Sequence, residues 1–240
     1  MIKIVTFKEW MGRNPALGKT KIACFDFDGT LANTPMKPET PEAIQKSGWN
    51  GKDWYGSDVS IPDNTSLNGE VLAAFNAAKQ DPDAYTILLT GRRGIIAPKV
   101  RTILQKNNLI GKRKIGSSNK NALRHHAGNE HPLEDTDPHA HDEYYCGDFA
   151  TEEDYPKTTR GKSDGSTLAH KKYIVEKLMH HGIEQIDFWD DRADHIPHFI
   201  KMGMDLQREW PNLTKVTMHR VYPPKHPGQQ AWIQHIPIKK

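Results

Sequence analysis

Short apolar runs alternate along the chain with stretches whose apolar residues recur every three to four positions. Ile22-Ala23-Cys24-Phe25 heads the first run, read as a strand over Ile22–Phe27, with Asp28-Gly29 as the turn that follows. Tyr85–Leu89 is the second strand and closes on Thr90-Gly91-Arg92. Ile183–Trp189 is the third and closes on Asp190-Asp191-Arg192, and Lys215–Val221 is a fourth. Helical spacing fills the intervals. Leu67–Gln80 carries Val71, Leu72, Phe75 and Ala78 on one face, with Ser66 at the N-cap position. Ile95–Asn107 turns Ile96, Val100, Ile103 and Leu104 inward and keeps Pro98 in its first turn, where proline costs little. Leu168–His181 carries Leu168, Ile174, Val175, Leu178 and Met179, with Gly182 as its stop. This alternation predicts an α/β fold, a Rossmann-like, mainly parallel sheet flanked by helices. Ligands of such sheets sit beyond the carboxyl ends of the strands. All three polar clusters fall there.

Two stretches break the alternation. Residues 35–66 are rich in Pro, Gly, Asp and Trp, and residues 116–166 are long, polar and full of His, Asp and Glu. Structureless connections this long are uncommon inside a domain and are often functional insertions. The expectation is one domain over residues 1–240, with a cap inserted at 35–66 and a polar insertion at 116–166. No internal repeat is visible.

Composition narrows the class. The chain has 240 residues, 36% of them hydrophobic and 26% charged, enough to bury a core beneath extended surface loops. Net charge is only +3, which suits an anionic substrate without establishing nucleic-acid binding. Two cysteines, Cys24 and Cys146, make no disulfide framework, and Cys24 reads as a small core residue. No apolar run approaches the roughly 18 residues of a membrane span. The first residues are too poor in apolar side chains for a secretory leader. A cytoplasmic setting without membrane association is expected, and nothing in the pattern fixes an oligomeric state.

The chemistry lies in the strand-end clusters. Asp26 and Asp28 stand one residue apart, so they can share a cation or divide the roles of nucleophile and acid. An aspartate nucleophile can carry a covalent phosphoryl group. Thr90 offers a hydroxyl and a following amide to a phosphate oxygen. Lys171 or Lys172 can neutralise phosphate charge, and Lys171 shares its helix face with Ile174, Val175 and Leu178. Asp190, Asp191 and Asp194 complete the series. Read together, Asp-Phe-Asp-Gly-Thr-Leu, Leu-Leu-Thr-Gly-Arg, the Lys171 region and Asp-Phe-Trp-Asp-Asp-Arg resemble the motifs of haloacid dehalogenase-like (HAD) hydrolases, in order, over about Lys21–Phe199. The resemblance implies a phosphatase. Asp26 would be the nucleophile and Asp28 the acid and base, with Thr90 and Lys171 also catalytic. Asp26, the Asp28 carbonyl, Asp190 and Asp191 would hold Mg²⁺.

Thr90-Gly91-Arg92 and Asp190-Asp191-Arg192 add arginines to that pattern. They are similar to the phosphatase domain of phage-type polynucleotide kinase/phosphatases and to HAD proteins associated with RNA repair; the Asp-Arg-x-x-His run ending at His195 points the same way. Gly91, Arg92 and Arg192 are thus candidate substrate contacts, since guanidinium groups grip phosphates bidentately; the alternative is that the arginines brace acidic residues. The implied substrate is a phosphorylated nucleic-acid end, foremost a 3′-phosphate. The alternatives are a nucleotidase or small-molecule phosphatase, and a non-catalytic scaffold that binds nucleic acid or a partner. Trp49, Trp54 and Tyr55 are candidates for stacking on a base, or for a small core within the cap. The basic positions 112–114, 120 and 124 offer contacts to a nucleic-acid backbone, or a solvated loop. Gly12–Thr20 mimics a phosphate loop but has five residues between its glycines and a strand after it, which argues against kinase chemistry. The histidines at 125, 126, 131, 139 and 141, with Cys146, show no fixed metal-ligand spacing.

Overall fold

In the computed structural model, strands β1 (Lys21–Phe25), β2 (Ala84–Leu88), β3 (Gln185–Asp190), β4 (Lys215–Tyr222) and β5 (Trp232–Ile238) form one sheet in the order β2-β1-β3-β4-β5. The first four strands run parallel and β5 pairs antiparallel with β4. The helices are α1 (Pro41–Ser47), α2 (Gly69–Gln80), α3 (Ala97–Lys106), α4 (Thr167–Leu178) and α5 (Ile196–Glu209). The structure describes residues 14, 16–52, 54–92, 96–109, 167–224, 226 and 229–239. The 116–166 insertion lies outside the described residues. So do the basic positions 112–114, 120 and 124 and the histidine group with Cys146. No helix among the described residues is long and apolar enough to cross a membrane.

Successive side chains of a strand point to opposite faces, and the core divides accordingly. Ile22, Cys24, Ile87, Ile186, Phe188, Val216 and Met218 pack on one face with Ile174, Val175 and Leu178 of α4 and Phe199, Met202 and Leu206 of α5. Ala23, Phe25 and Leu88 pack on the other with Val71 and Phe75 of α2 and Val100, Ile103 and Leu104 of α3. Burying each large side chain is worth about 1.5–3 kcal/mol, so both layers hold the strand ends in place. The α/β architecture is the expected one, with helices on both faces of a mainly parallel sheet.

The boundaries differ in instructive ways. β1 stops at Phe25, two residues before the expected end, because Asp26 and Phe27 already belong to the turn. α2 starts at Gly69 rather than Leu67. Leu67 instead bridges to Ala32, and Asn68 rather than Ser66 precedes the helix. α4 ends at Leu178, three residues early. There His180 Nδ1 accepts the Gly182 N–H at 3.0 Å and turns the chain into β3. Among the described residues, α1, the short 3-10 turns Trp54–Gly56 and Asp58–Ser60, α5 and the edge strand β5 have no counterpart in the sequence reading.

Candidate active site

The parallel register sets the site. Phe25 lies opposite Trp189, so the chain leaves β1 at Asp26 beside the end of β3 at Asp190. The Asp26 amide donates to the Trp189 carbonyl at 2.9 Å and locks the two ends together. β2 runs on the far side of β1 and delivers Thr90 to the same edge. The sheet is left in opposite directions from β1 and β3, the kind of switch point at which open α/β sheets bind ligands.

Lys171 joins the two aspartates. Its Nζ lies 2.6 Å from Asp190 Oδ2 and 3.1 Å from Asp26 Oδ1, and all three residues are buried. The helix face of Ile174, Val175 and Leu178 carries it inward. Lys172, on the other face, pairs with Glu176 at 3.6 Å and is half exposed. Asp190 is further fixed by the Arg192 amide at 2.9 Å to Oδ1 and by His195 Nδ1, 3.3 Å from Oδ2. His195 is buried and stands just before α5, where the Asp-Arg-x-x-His spacing puts it one turn beyond the strand end. The sequence showed that spacing without revealing which carboxylate His195 would meet.

The loop after Asp26 is shaped around Asp191. Gly29 has φ +66°, and a Cβ there would overlap the Asp191 carboxylate. Only glycine fits both the left-handed backbone and the close approach. Thr30, fully buried, places its Oγ1 3.4 Å from Asp191 Oδ1. Asn68 Nδ2 donates to the Gly29 and Thr30 carbonyls at 3.2 and 2.5 Å, tying the loop to the start of α2. Thr90 is fully buried, and its Oγ1 accepts the Arg92 amide at 3.2 Å, so the hydroxyl keeps its own proton to donate. Gly91 packs against Thr167 at the start of α4 with no room for a Cβ.

Asp26, Asp190 and Asp191 offer carboxylate oxygens that all lie within 4.8 Å of one another. The Asp28 carboxylate is not in that set. It accepts from Thr34 Oγ1 at 2.7 Å and from Arg92 Nε at 2.9 Å to each oxygen. Arg92 itself is buried, and its Nη1 and Nη2 also reach the Ser60 hydroxyl and carbonyl at 2.5 and 3.1 Å. The Arg92 donors go to Asp28 and to Ser60, the arrangement expected of an arginine that braces an acidic residue. Arg192 is different. It is partly exposed at the rim, with Nε and Nη2 on Asp194 at 3.2 and 2.5 Å. Within residues 35–66, Trp49 and Trp54 are buried edge to face at 5.3 Å and form a small core of that segment. Tyr55 stays 44% exposed.

Removing Arg92 breaks the Asp28 pair and the contacts to Ser60 together. Arg92→Ala is expected to cost roughly 3 kcal/mol in urea unfolding and to open residues 54–61 to protease. Arg92→Lys should recover little, because lysine cannot reproduce the fork.

Charge in the site is unbalanced, with three carboxylates facing one ammonium. Burial alone would raise Asp190, but Lys171 and His195 outweigh it and hold the carboxyl at about 2. Burial raises Asp26 well above the usual carboxylate range; Lys171 opposes this, and Asp190, Asp191 and Asp28 reinforce it. Burial, then the Asp190 charge, pushes Asp191 up to about 7. Burial disfavours charge on Lys171 too, but Asp190 and Asp26 outweigh it and hold the ammonium above the ordinary lysine value. Such an oxygen-only set suits a hard divalent cation, and Mg²⁺ fits that donor chemistry. The folded values of Asp26 and Asp191 exceed the ordinary 3.8, so the folded state binds more protons than the unfolded one. Without metal, the melting temperature should fall as pH rises from 3.8 through about 7. Mg²⁺ should flatten that decline. Melting curves across this range, with chelator and with Mg²⁺, check both statements.

No curated protein and no solved structure matches the chain. A family model matches residues 42–226, a span that includes Thr90, Arg92, Lys171 and Asp190–Arg192 but starts downstream of Asp26 and Asp28. The matched span covers most of the chain, including the clusters that follow β2 and β3, and the chain belongs to HAD domain family 1 in Swiss Army Knife RNA repair proteins.

Proposed function

We propose that this protein is a Mg²⁺-dependent phosphomonoester hydrolase that works through an aspartyl-phosphate on Asp26 and removes 3′-phosphates from nucleic-acid ends. One observation carries the reading: a buried lysine bridges two aspartates at the ends of adjacent parallel strands, with a third carboxylate within metal-sharing distance. Such a net-negative buried cluster is costly unless a cation joins it, and with that cation it can receive a phosphate. The repair setting rests on the family description, and family membership supports phosphatase-type chemistry.

In this proposal an Asp26 oxygen attacks phosphorus, and the bond from phosphorus to the leaving oxygen breaks. The Asp28 carboxyl gives its proton to that oxygen. Water then attacks the phosphorus of the aspartyl-phosphate and yields a proton to the Asp28 carboxylate, and the phosphorus–Asp26 bond breaks to release phosphate. Thr90 Oγ1 and Lys171 Nζ donate to the non-reacting phosphate oxygens, where charge develops. Asp190, Asp191, Asp26 and the Asp28 carbonyl would hold Mg²⁺, which when bound offsets the repulsion between carboxylate and phosphate. His195 and Thr30 position Asp190 and Asp191. Arg192 meets a phosphate at the rim.

Phosphate release from a 3′-phosphorylated oligonucleotide and from 3′-mononucleotides, measured side by side, tests the substrate assignment. A preference for the oligonucleotide is expected. A preference for mononucleotides would transfer the assignment to a nucleotidase.

A further inference from the structure

We infer that Tyr55 is the surface on which the terminal nucleoside of the substrate stacks, which makes it the residue that selects a nucleoside-bearing phosphate over a simple phosphoester. The inference rests on the phosphatase reading of the same site. The leaving oxygen must face Asp28, because Asp28 gives it a proton, so the nucleoside attached to that oxygen leaves the pocket on the Asp28 side. Among the described residues, Tyr55 is an aromatic side chain held on that side. The Arg92 guanidinium that grips Asp28 lies 5.7 Å from the Tyr55 ring centroid, and its Nη1 reaches the Tyr55 carbonyl at 3.4 Å. The phenol lies within electrostatic reach of Asp28, Arg92, Arg192 and Asp191.

The cap supplies the rigidity that a stacking surface needs. Trp54 is buried against Trp49, and the tight turn Trp54–Gly56 directs the next residue outward. Ser60, fully buried, pins the end of the same segment to Arg92. Of the three cap aromatics only Tyr55 keeps a substantial free surface, at 44% exposure against 8% for Trp49 and 4% for Trp54. Stacking of a base on an aromatic ring tolerates any base. The expected selectivity is therefore for a nucleoside, not for a sequence.

A thermodynamic cycle tests this. Asp26→Asn protein, which cannot turn over, is titrated with a fluorescent single-stranded oligonucleotide ending in a 3′-phosphate, whose last nucleotide is either intact or abasic. Tyr55→Ala should weaken binding of the intact ligand about tenfold, within the range for one stacked base. Removing the base should cost the Tyr55 protein a similar factor. The two changes together should cost little more than either alone. Tyr55→Phe should restore most of the affinity, which a role for the hydroxyl would not allow. Independent, multiplying losses would overturn the inference, as would equal affinity for the intact and abasic ligands. Hydrolysis of a base-free aryl phosphate by the Asp26 protein separates the two readings. If that activity is present and the losses multiply, only Tyr55 is misassigned. If no phosphoester is hydrolysed, the phosphatase reading fails and takes this inference with it.

Discussion

Asp26→Asn is expected to lower phosphate release by a factor on the order of 10⁴ or more, the scale seen when a covalent nucleophile is removed, without unfolding the protein. The amide cannot attack phosphorus to form the phosphoenzyme. The fold survives because the change relieves the site electrostatically. Three carboxylates share one ammonium, and burial disfavours the charge on Asp26. Lys171 keeps its shorter contact, 2.6 Å to Asp190. Without metal, the variant should melt at or above the temperature of the parent protein. With Mg²⁺ its stabilisation should be smaller than the parent's, because an anionic ligand has been lost. Turnover assays paired with melting curves at several Mg²⁺ concentrations check all three expectations. A variant that melts well below the parent would show that the Asp26–Lys171 pair is mainly structural.

Lys171→Ala should have the opposite balance. It leaves Asp26 and Asp190 buried without their shared cation. Breaking a buried pair by removing one partner costs about 3–5 kcal/mol. The protein should unfold at markedly lower urea, and the Asp190 carboxyl, now held at about 2 by Lys171 and His195 against burial, should rise. Under the proposed function Mg²⁺ binds the folded form selectively, and it should then recover part of that stability by mass action. It should not recover the rate. A cation in the carboxylate cluster cannot replace a donor aimed at phosphate oxygens, whose removal costs on the order of 10²–10³ in turnover. Urea titrations with and without Mg²⁺, set beside initial rates, separate the two effects. Lys172→Ala is the control: its partner Glu176 is an exposed neighbour one turn away, and such pairs contribute roughly 0.3–0.5 kcal/mol.

Much of this was legible from the chain because buried parallel strands write themselves as continuous apolar runs. Ile22–Phe25, Tyr85–Leu89 and Ile183–Trp189 marked the strand ends, and the polar residues after them, Asp26, Thr90 and Asp190, come to one edge of the sheet. Helix periodicity separated Lys171 from Lys172 for a physical reason: the two residues point about 100° apart, and only one can share a face with Ile174 and Leu178. Other features resisted. α5 starts with Ile196-Pro197 directly after a charged turn, and its apolar face at Phe199, Met202 and Leu206 becomes clear only against β4. β5 carries Pro237 and lacks clean alternation, as an edge strand can. Arg92 was readable as a phosphate contact because an arginine after a strand end suits one. In the fold it pairs with Asp28, 64 positions earlier in the chain, and with Ser60. Pairing across such distances is set by the fold, so no local pattern announces it. The same holds for Gly29, whose need for a bare Cα comes from Asp191 across the sheet.

The central claim is that Asp26 carries the phosphoryl group, and peptide mass spectrometry of protein quenched in acid during turnover tests it most directly. The expected result is a phosphoryl adduct on the peptide containing Asp26, present only with substrate and Mg²⁺ and absent from Asp26→Asn. Steady turnover with no adduct on that peptide, together with an Asp26→Asn variant that keeps the parent rate, would contradict it.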